Sequence, residues 1–93
     1  MGRKNEDFRI PDGLAKQLIK EYSGCIWYDE DTRNICYEET LDAFAEQILE
    51  DYDEKKMEKN FGYVMYDQDK ISNWLHDNLP ELYEELLVFN KEL

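Results

Sequence analysis

The chain has 93 residues, with 23 Asp plus Glu against 11 Lys plus Arg and a formal net charge of −12. That length holds one domain and excludes a second independent core. The negative charge excludes direct binding to a nucleic-acid backbone and disfavours adsorption to an anionic membrane, while 42% hydrophobic and 14% aromatic residues argue against disorder.

Residues 1–10 read as a mobile, mildly basic tail, with Arg3, Lys4 and Arg9 facing only Glu6 and Asp7. The tail lacks the apolar run of a secretory signal, and Glu6 stands where an N-myristoylation signal wants Ser or Thr. No apolar run approaches the ~20 residues that span a bilayer. The expectation is a cytoplasmic protein, with residues 11–93 forming the domain and Cys25 and Cys36 reduced.

A first helix is expected over about residues 12–22, capped by Asp12 and stopped at Gly24. Leu14, Ala15, Leu18, Ile19 and Tyr22 recur at helical spacing and make its apolar face. Residues 25–37, CIWYDEDTRNICY, read as a hairpin around a polar turn. A loop centred on Glu30 and Asp31 pairs Tyr28 with Arg33 and Ile26 with Ile35, and sets Cys25 opposite Cys36. Ile26, Tyr28, Ile35 and Tyr37 then share a face, and Trp27 lies on the other.

A second helix is expected over about residues 40–59, capped by Thr40 and burying Leu41, Phe44, Ala45, Ile48, Leu49 and Tyr52. Residues 61–66, FGYVMY, form the third strand candidate. Asp67 then caps a short helix that buries Ile71, Trp74 and Leu75. Pro80 opens a last helix with Leu82, Leu86 and Phe89 inward. The order is α-β-β-α-β-α-α. The expected fold class is α+β, with a three-stranded, mainly antiparallel sheet packed with helices.

Charge is concentrated. Residues 1–20 carry a net charge of +2, whereas residues 29–54 hold eleven acids against Arg33 alone, a net charge of −10. Asp42, Glu46, Glu50 and Glu54 recur every four residues, about 6 Å apart along one helix face, with Asp53 at its edge. Glu38 and Glu39 extend the face beyond the helix start, and Asp29, Glu30 and Asp31 form an acidic turn. Like charges at this spacing cost a helix roughly 0.2–0.5 kcal/mol per pair. An uncompensated local cost marks a candidate site; the bland reading is a solvated outer face. A row of carboxylates on a rigid element presents to a basic groove what a row of phosphates presents.

Through its length, its charge, the turn at Asp29 to Asp31 and the helix LDAFAEQILEDYDE, the chain resembles the small acidic inhibitors of phages and mobile elements. These are the anti-CRISPR and antirestriction proteins that imitate nucleic acid. The segment EETLDAFAEQIL, with Asp42, is also faintly similar to the acidic helix of barstar-like ribonuclease inhibitors. The resemblance implies an inhibitor whose partner is a basic nucleic-acid-binding protein, such as a CRISPR effector or another nuclease, met in a bacterial cytosol.

Other chemistry is thin. His76 is the only histidine, so neither a triad nor a multi-histidine metal site is available. Asp29, Asp31 and Asn34 fail the EF-hand pattern, which wants Gly at loop position 6 and Glu at position 12. The four glycines are scattered and cradle no phosphate. No enzyme activity and no cofactor are expected. Trp27, if outward, is an aromatic anchor beside the acidic turn. The protein is expected to be a monomer. The competing reading is a generic acidic interaction module, an adaptor, regulatory subunit or toxin-immunity protein, that binds through an apolar patch.

Overall fold

The computed structural model describes residues 8–92. Among them are five α-helices, α1 Leu14–Tyr22, α2 Tyr37–Asp51, α3 Glu54–Phe61, α4 Gln68–Asn78 and α5 Glu81–Lys91, with a 3₁₀ turn at Ser23–Cys25. The expected α+β class is therefore corrected to all-helical. Among the described residues there is no sheet; the only pairing of extended chain is an isolated antiparallel bridge between Tyr28 and Ile35.

The hairpin is real but minimal. Asp29 N–H donates to Asn34 C=O at 2.8 Å, and Cys36 N–H to Trp27 C=O at 2.9 Å. Trp27, and not Cys25, thus faces Cys36, so the expected register is off by two residues. The loop centres on Asp31 and Thr32 because Asp29 closes it: its Oδ1 accepts from the N–H groups of Asp31 and Thr32 at 2.8 and 3.0 Å. Arg33 completes the reversal at φ 64°, a left-handed conformation that costs a side-chain-bearing residue roughly 1–2 kcal/mol. The shift of two preserves the faces. Ile26 is buried, Tyr28, Ile35 and Tyr37 are half-buried, and Trp27 is exposed.

The second strand ends early because α2 begins at Tyr37, three residues before the expected start. Thr40 is not its cap but a fully buried residue of its first turn. Its hydroxyl donates to Cys36 C=O at 2.8 Å and accepts Trp27 N–H at 3.1 Å. Two short strands with no third partner are marginal alone, and here a helix start takes up the chain that would have extended them.

The expected 20-residue second helix is broken into two. Tyr52 and Asp53 are extended, and Asp53 Oδ1 accepts Lys56 N–H at 2.8 Å as the N-cap of α3. The break turns Asp53 and Glu54 from acids deep in one helix into acids at the start of the next, where the helix dipole favours them. Tyr52 is buried at the joint and stacks on Phe61 at 5.6 Å, with Lys56 Nζ 4.2 Å from its ring centroid.

The third strand is corrected as well. Phe61 ends α3, and Gly62 terminates it at φ 89° with its N–H on Glu58 C=O. A Cβ at Gly62 would lie 2.8 Å from Phe8 Cδ2, so both the backbone angle and the neighbour demand glycine. The remaining chain to Tyr66 passes as a loop with no strand to pair with.

The other helices follow their apolar patterns. Leu14, Ala15, Leu18, Ile19 and Tyr22 are all buried, although Gly13 rather than Asp12 stands at the N-cap of α1. Ile71, Trp74 and Leu75 are buried on α4, whose N-cap is Asp67; Leu82 and Leu86 are buried on α5, and Phe89 packs beside them. Leu49 is exposed despite its expected place in the core. The pair α2 and α4 makes the most extensive contact, followed by α1 with α5. Of the expected tail, residues 1–7 lie outside the described residues, while Phe8 and Ile10 pack against the core.

Candidate functional site

All eleven acids of residues 29–54 are exposed. Among the described residues the only ion pair within 4 Å joins His76 and Asp77, so none of the eleven has a cationic partner. Among the described residues the negative surface is thus without ion pairs in three dimensions, as it is short of cations along the chain.

Its order is less regular than the sequence spacing promises. Glu38 and Glu39 occupy the first turn of α2, where unsatisfied N–H groups favour anions. Asp42, Glu46 and Glu50 follow on α2 at four-residue steps. Glu54 does not continue the row, because it belongs to α3 beyond the break. It accepts a short hydrogen bond from Tyr66 Oη, which raises the Tyr66 phenol pKa. Asp53 is occupied as a helix cap.

Asp42 is also engaged. Ser72 Oγ donates to its Oδ1 at 2.8 Å, and Gln68 Nε2 donates to its backbone carbonyl at 3.0 Å. These bonds fasten α2 to α4. Nothing in the sequence singles out Gln68 and Ser72 beyond their four-residue spacing on α4, the only local sign of a shared role. Among the described residues nothing hydrogen-bonds the Glu46 or Glu50 side chain, and the two are the unencumbered part of the face.

The acidic turn is a well-formed element with different neighbours. The Thr32 and Asp31 N–H groups hold the Asp29 carboxyl below the usual carboxylate range, so Asp29 is charged at neutral pH. Glu30 and Asp31 project from the same turn. Tyr28, Asp29, Glu30 and Arg33 line a shallow cleft of about 520 Å³ that Asn90 of α5 closes on the other side. Trp27 is 56% exposed, on the hairpin face opposite the half-buried Tyr28.

A further acid, Asp51, is anchored to the core's edge. Tyr22 Oη donates to its Oδ2 at 3.0 Å; burial, then this bond, raises the Tyr22 pKa. No group of three or more His, Cys, Asp or Glu side chains among the described residues is placed to hold a metal ion. His76, Asp69 and Asn73 are exposed on α4, and His76 Nδ1 lies 3.1 Å from Asp77. Cys25 and Cys36 are half-buried free thiols, the Cys36 pKa raised by burial and by Glu39 and Asp29. No helix among the described residues is long and apolar enough to cross a membrane. No protein-family model, curated protein or solved structure matches the chain.

Proposed function

We propose that this protein inhibits a nucleic-acid-binding protein, a CRISPR effector or another nuclease, by occupying its basic groove. The supporting observation is the set of eleven exposed acids in residues 29–54, with no cation within 4 Å among the described residues. Carboxylates at about 6 Å intervals along α2 stand in for phosphates, and the uncompensated field steers association with a basic partner. In this reading the protein is a monomeric cytoplasmic inhibitor, not an enzyme, and it needs no cofactor. It does not bind nucleic acid itself; it competes with it.

The test uses Glu46 and Glu50, whose side chains bond nothing among the described residues. The double variant Glu46→Gln, Glu50→Gln keeps size and removes two charges. It should fold as the parent does and slow association with the partner, with the difference shrinking as salt rises. Stopped-flow association at two ionic strengths reads this directly. Equal association rates at every salt concentration would return α2 to the status of a solvated face. The alternative, an interaction module with an apolar contact, draws on Trp27, Tyr66 and Val88, each at least half exposed at 56%, 73% and 50%.

A further inference from the structure

A cleft of about 640 Å³ opens between residues 8–10, the end of α3 and α4. Local pattern builds its walls. Trp74 and Asn78 are four residues apart on α4 and share a face, where Asn78 Nδ2 donates to Trp74 C=O at 3.2 Å. Phe61 ends α3 and sets its ring edge-on to Trp74, with centroids 4.8 Å apart. Phe8 lies so close to Gly62 that a Cβ there would come within 2.8 Å of Phe8 Cδ2. Tyr63, 42% exposed, lines the cleft next to Gly62.

Size and chemistry set this cleft apart. Small-molecule sites usually enclose about 300–1,000 Å³ and are lined by apolar and aromatic side chains with a few polar groups. Here Phe8, Phe61, Tyr63 and Trp74 supply the aromatic lining. Among the described residues that line it, the exposed Arg9 alone is charged at neutral pH. The cleft at the start of α1 carries Asp12, Glu81 and Glu85, the one between α1 and α5 carries Glu85 and Glu92, and the one beside the hairpin turn carries Asp29 and Glu30. On a chain of net charge −12, a cleft lined by a cation and no carboxylate is a local reversal of sign.

We infer that this cleft binds a small aromatic carboxylate, with the ring seated among the aromatic lining residues and the carboxylate at Arg9. Charge complementarity selects the class. A guanidinium pairs with a carboxylate through two parallel hydrogen bonds, whereas a cationic ligand would meet like charge and a neutral one would leave Arg9 unused. Aromatic rings favour edge-on and offset contacts at centroid distances of about 4.5–7 Å, the arrangement that Phe61 and Trp74 already adopt. The Asn78 amide, tied to Trp74 C=O, offers a second polar group to a ring substituent. Repulsion of an anion by distant acids is screened beyond about 8 Å at physiological ionic strength, so the groups lining the cleft decide what it holds. This site goes beyond the proposed inhibition and uses none of the acids of residues 29–54.

The experiment titrates the full chain with 2-naphthoate, and separately with the neutral 2-naphthamide and the cationic 2-naphthylmethylammonium, following backbone amides and the Trp74 indole by NMR. The inference expects saturable shifts centred on Ile10, Gly62, Tyr63, Trp74 and Asn78. Naphthoate should bind about fivefold tighter than naphthamide, and the cation more weakly than either. Arg9→Gln should weaken naphthoate about fivefold and leave naphthamide within about twofold, while Arg9→Lys should retain part of the preference. Arg9 is a surface position, and circular dichroism verifies that each variant is folded. Shifts that do not saturate or that centre elsewhere, equal affinity for naphthoate and naphthamide, or unchanged naphthoate affinity in folded Arg9→Gln would each overturn the inference. Nuclear Overhauser contacts to the Trp74 indole from residues 1–7, or from a second copy, in the ligand-free protein would assign the cleft to that occupant and overturn it as well. None of these outcomes bears on Glu46 and Glu50, so failure here and failure of the inhibition reading are distinguishable.

Discussion

Tyr52 concentrates several tensions in one side chain. It is 5% exposed, its hydroxyl is buried, and that oxygen meets no hydrogen-bond partner among the described residues. Burial, reinforced by Glu21 and Asp51, pushes its pKa up to about 12, against an ordinary value of about 10. The unfolded chain therefore loses this proton first. The stability held by the neutral phenol is complete below about pH 10 and is lost as pH rises toward about 12. Tyr22 shifts in the same direction, through burial and Asp51. Urea unfolding between about pH 8 and about pH 12 should show falling stability, and Tyr52→Phe should fall less steeply. At neutral pH the same variant should be more stable by about 1 kcal/mol, because it removes an unpartnered polar atom.

At the scale of elements, the joint between α2 and α3 is the main departure from a simple helical reading. Its cap is a single carboxylate, Asp53, on Lys56 N–H. Asp53→Ala should lower unfolding free energy by about 0.5–2 kcal/mol, measured by urea titration at neutral pH. Asp53→Asn retains the cap geometry and should recover most of the loss. A variant as stable as the parent would show that the Tyr52–Phe61 stack alone sets the break. The same joint limits the acidic row to α2, so Asp42, Glu46 and Glu50 form one line and Glu54 stands on a different helix.

Across the whole molecule, net charge bears on stability and, in the proposed function, on recognition. A chain at −12 repels itself when compact. Salt raised from about 0.01 to about 1 M shortens the screening length from about 30 to about 3 Å. The thermal midpoint should therefore rise with sodium chloride, while association with a basic partner slows. Opposite responses of folding and binding to salt are what the proposed function expects. A midpoint that falls with salt, measured by differential scanning calorimetry, would contradict the self-repulsion on which this rests.

The apolar faces of α1, α4 and α5 and the exposure of the acids are legible in the residue pattern alone, because a helix's buried stripe and its charged back are written at three- and four-residue spacing. The inward set Leu14, Ala15, Leu18, Ile19 and Tyr22 and the outward set from Asp29 to Glu54 both follow from that local pattern. Tertiary structure decided the rest. Whether residues 25–37 and 61–66 became strands depended on a partner edge, and a sheet needs partners distant in sequence. Here Thr40 took the Trp27 N–H, Cys36 preceded a helix, and Gly62 closed another, so the aromatic residues that read as strand went to core and loop instead. Which acids are free was likewise a matter of distant partners: Ser72 claims Asp42 and Tyr66 claims Glu54, across 30 and 12 residues of chain. On α2, Glu46 and Glu50 meet no such partner among the described residues.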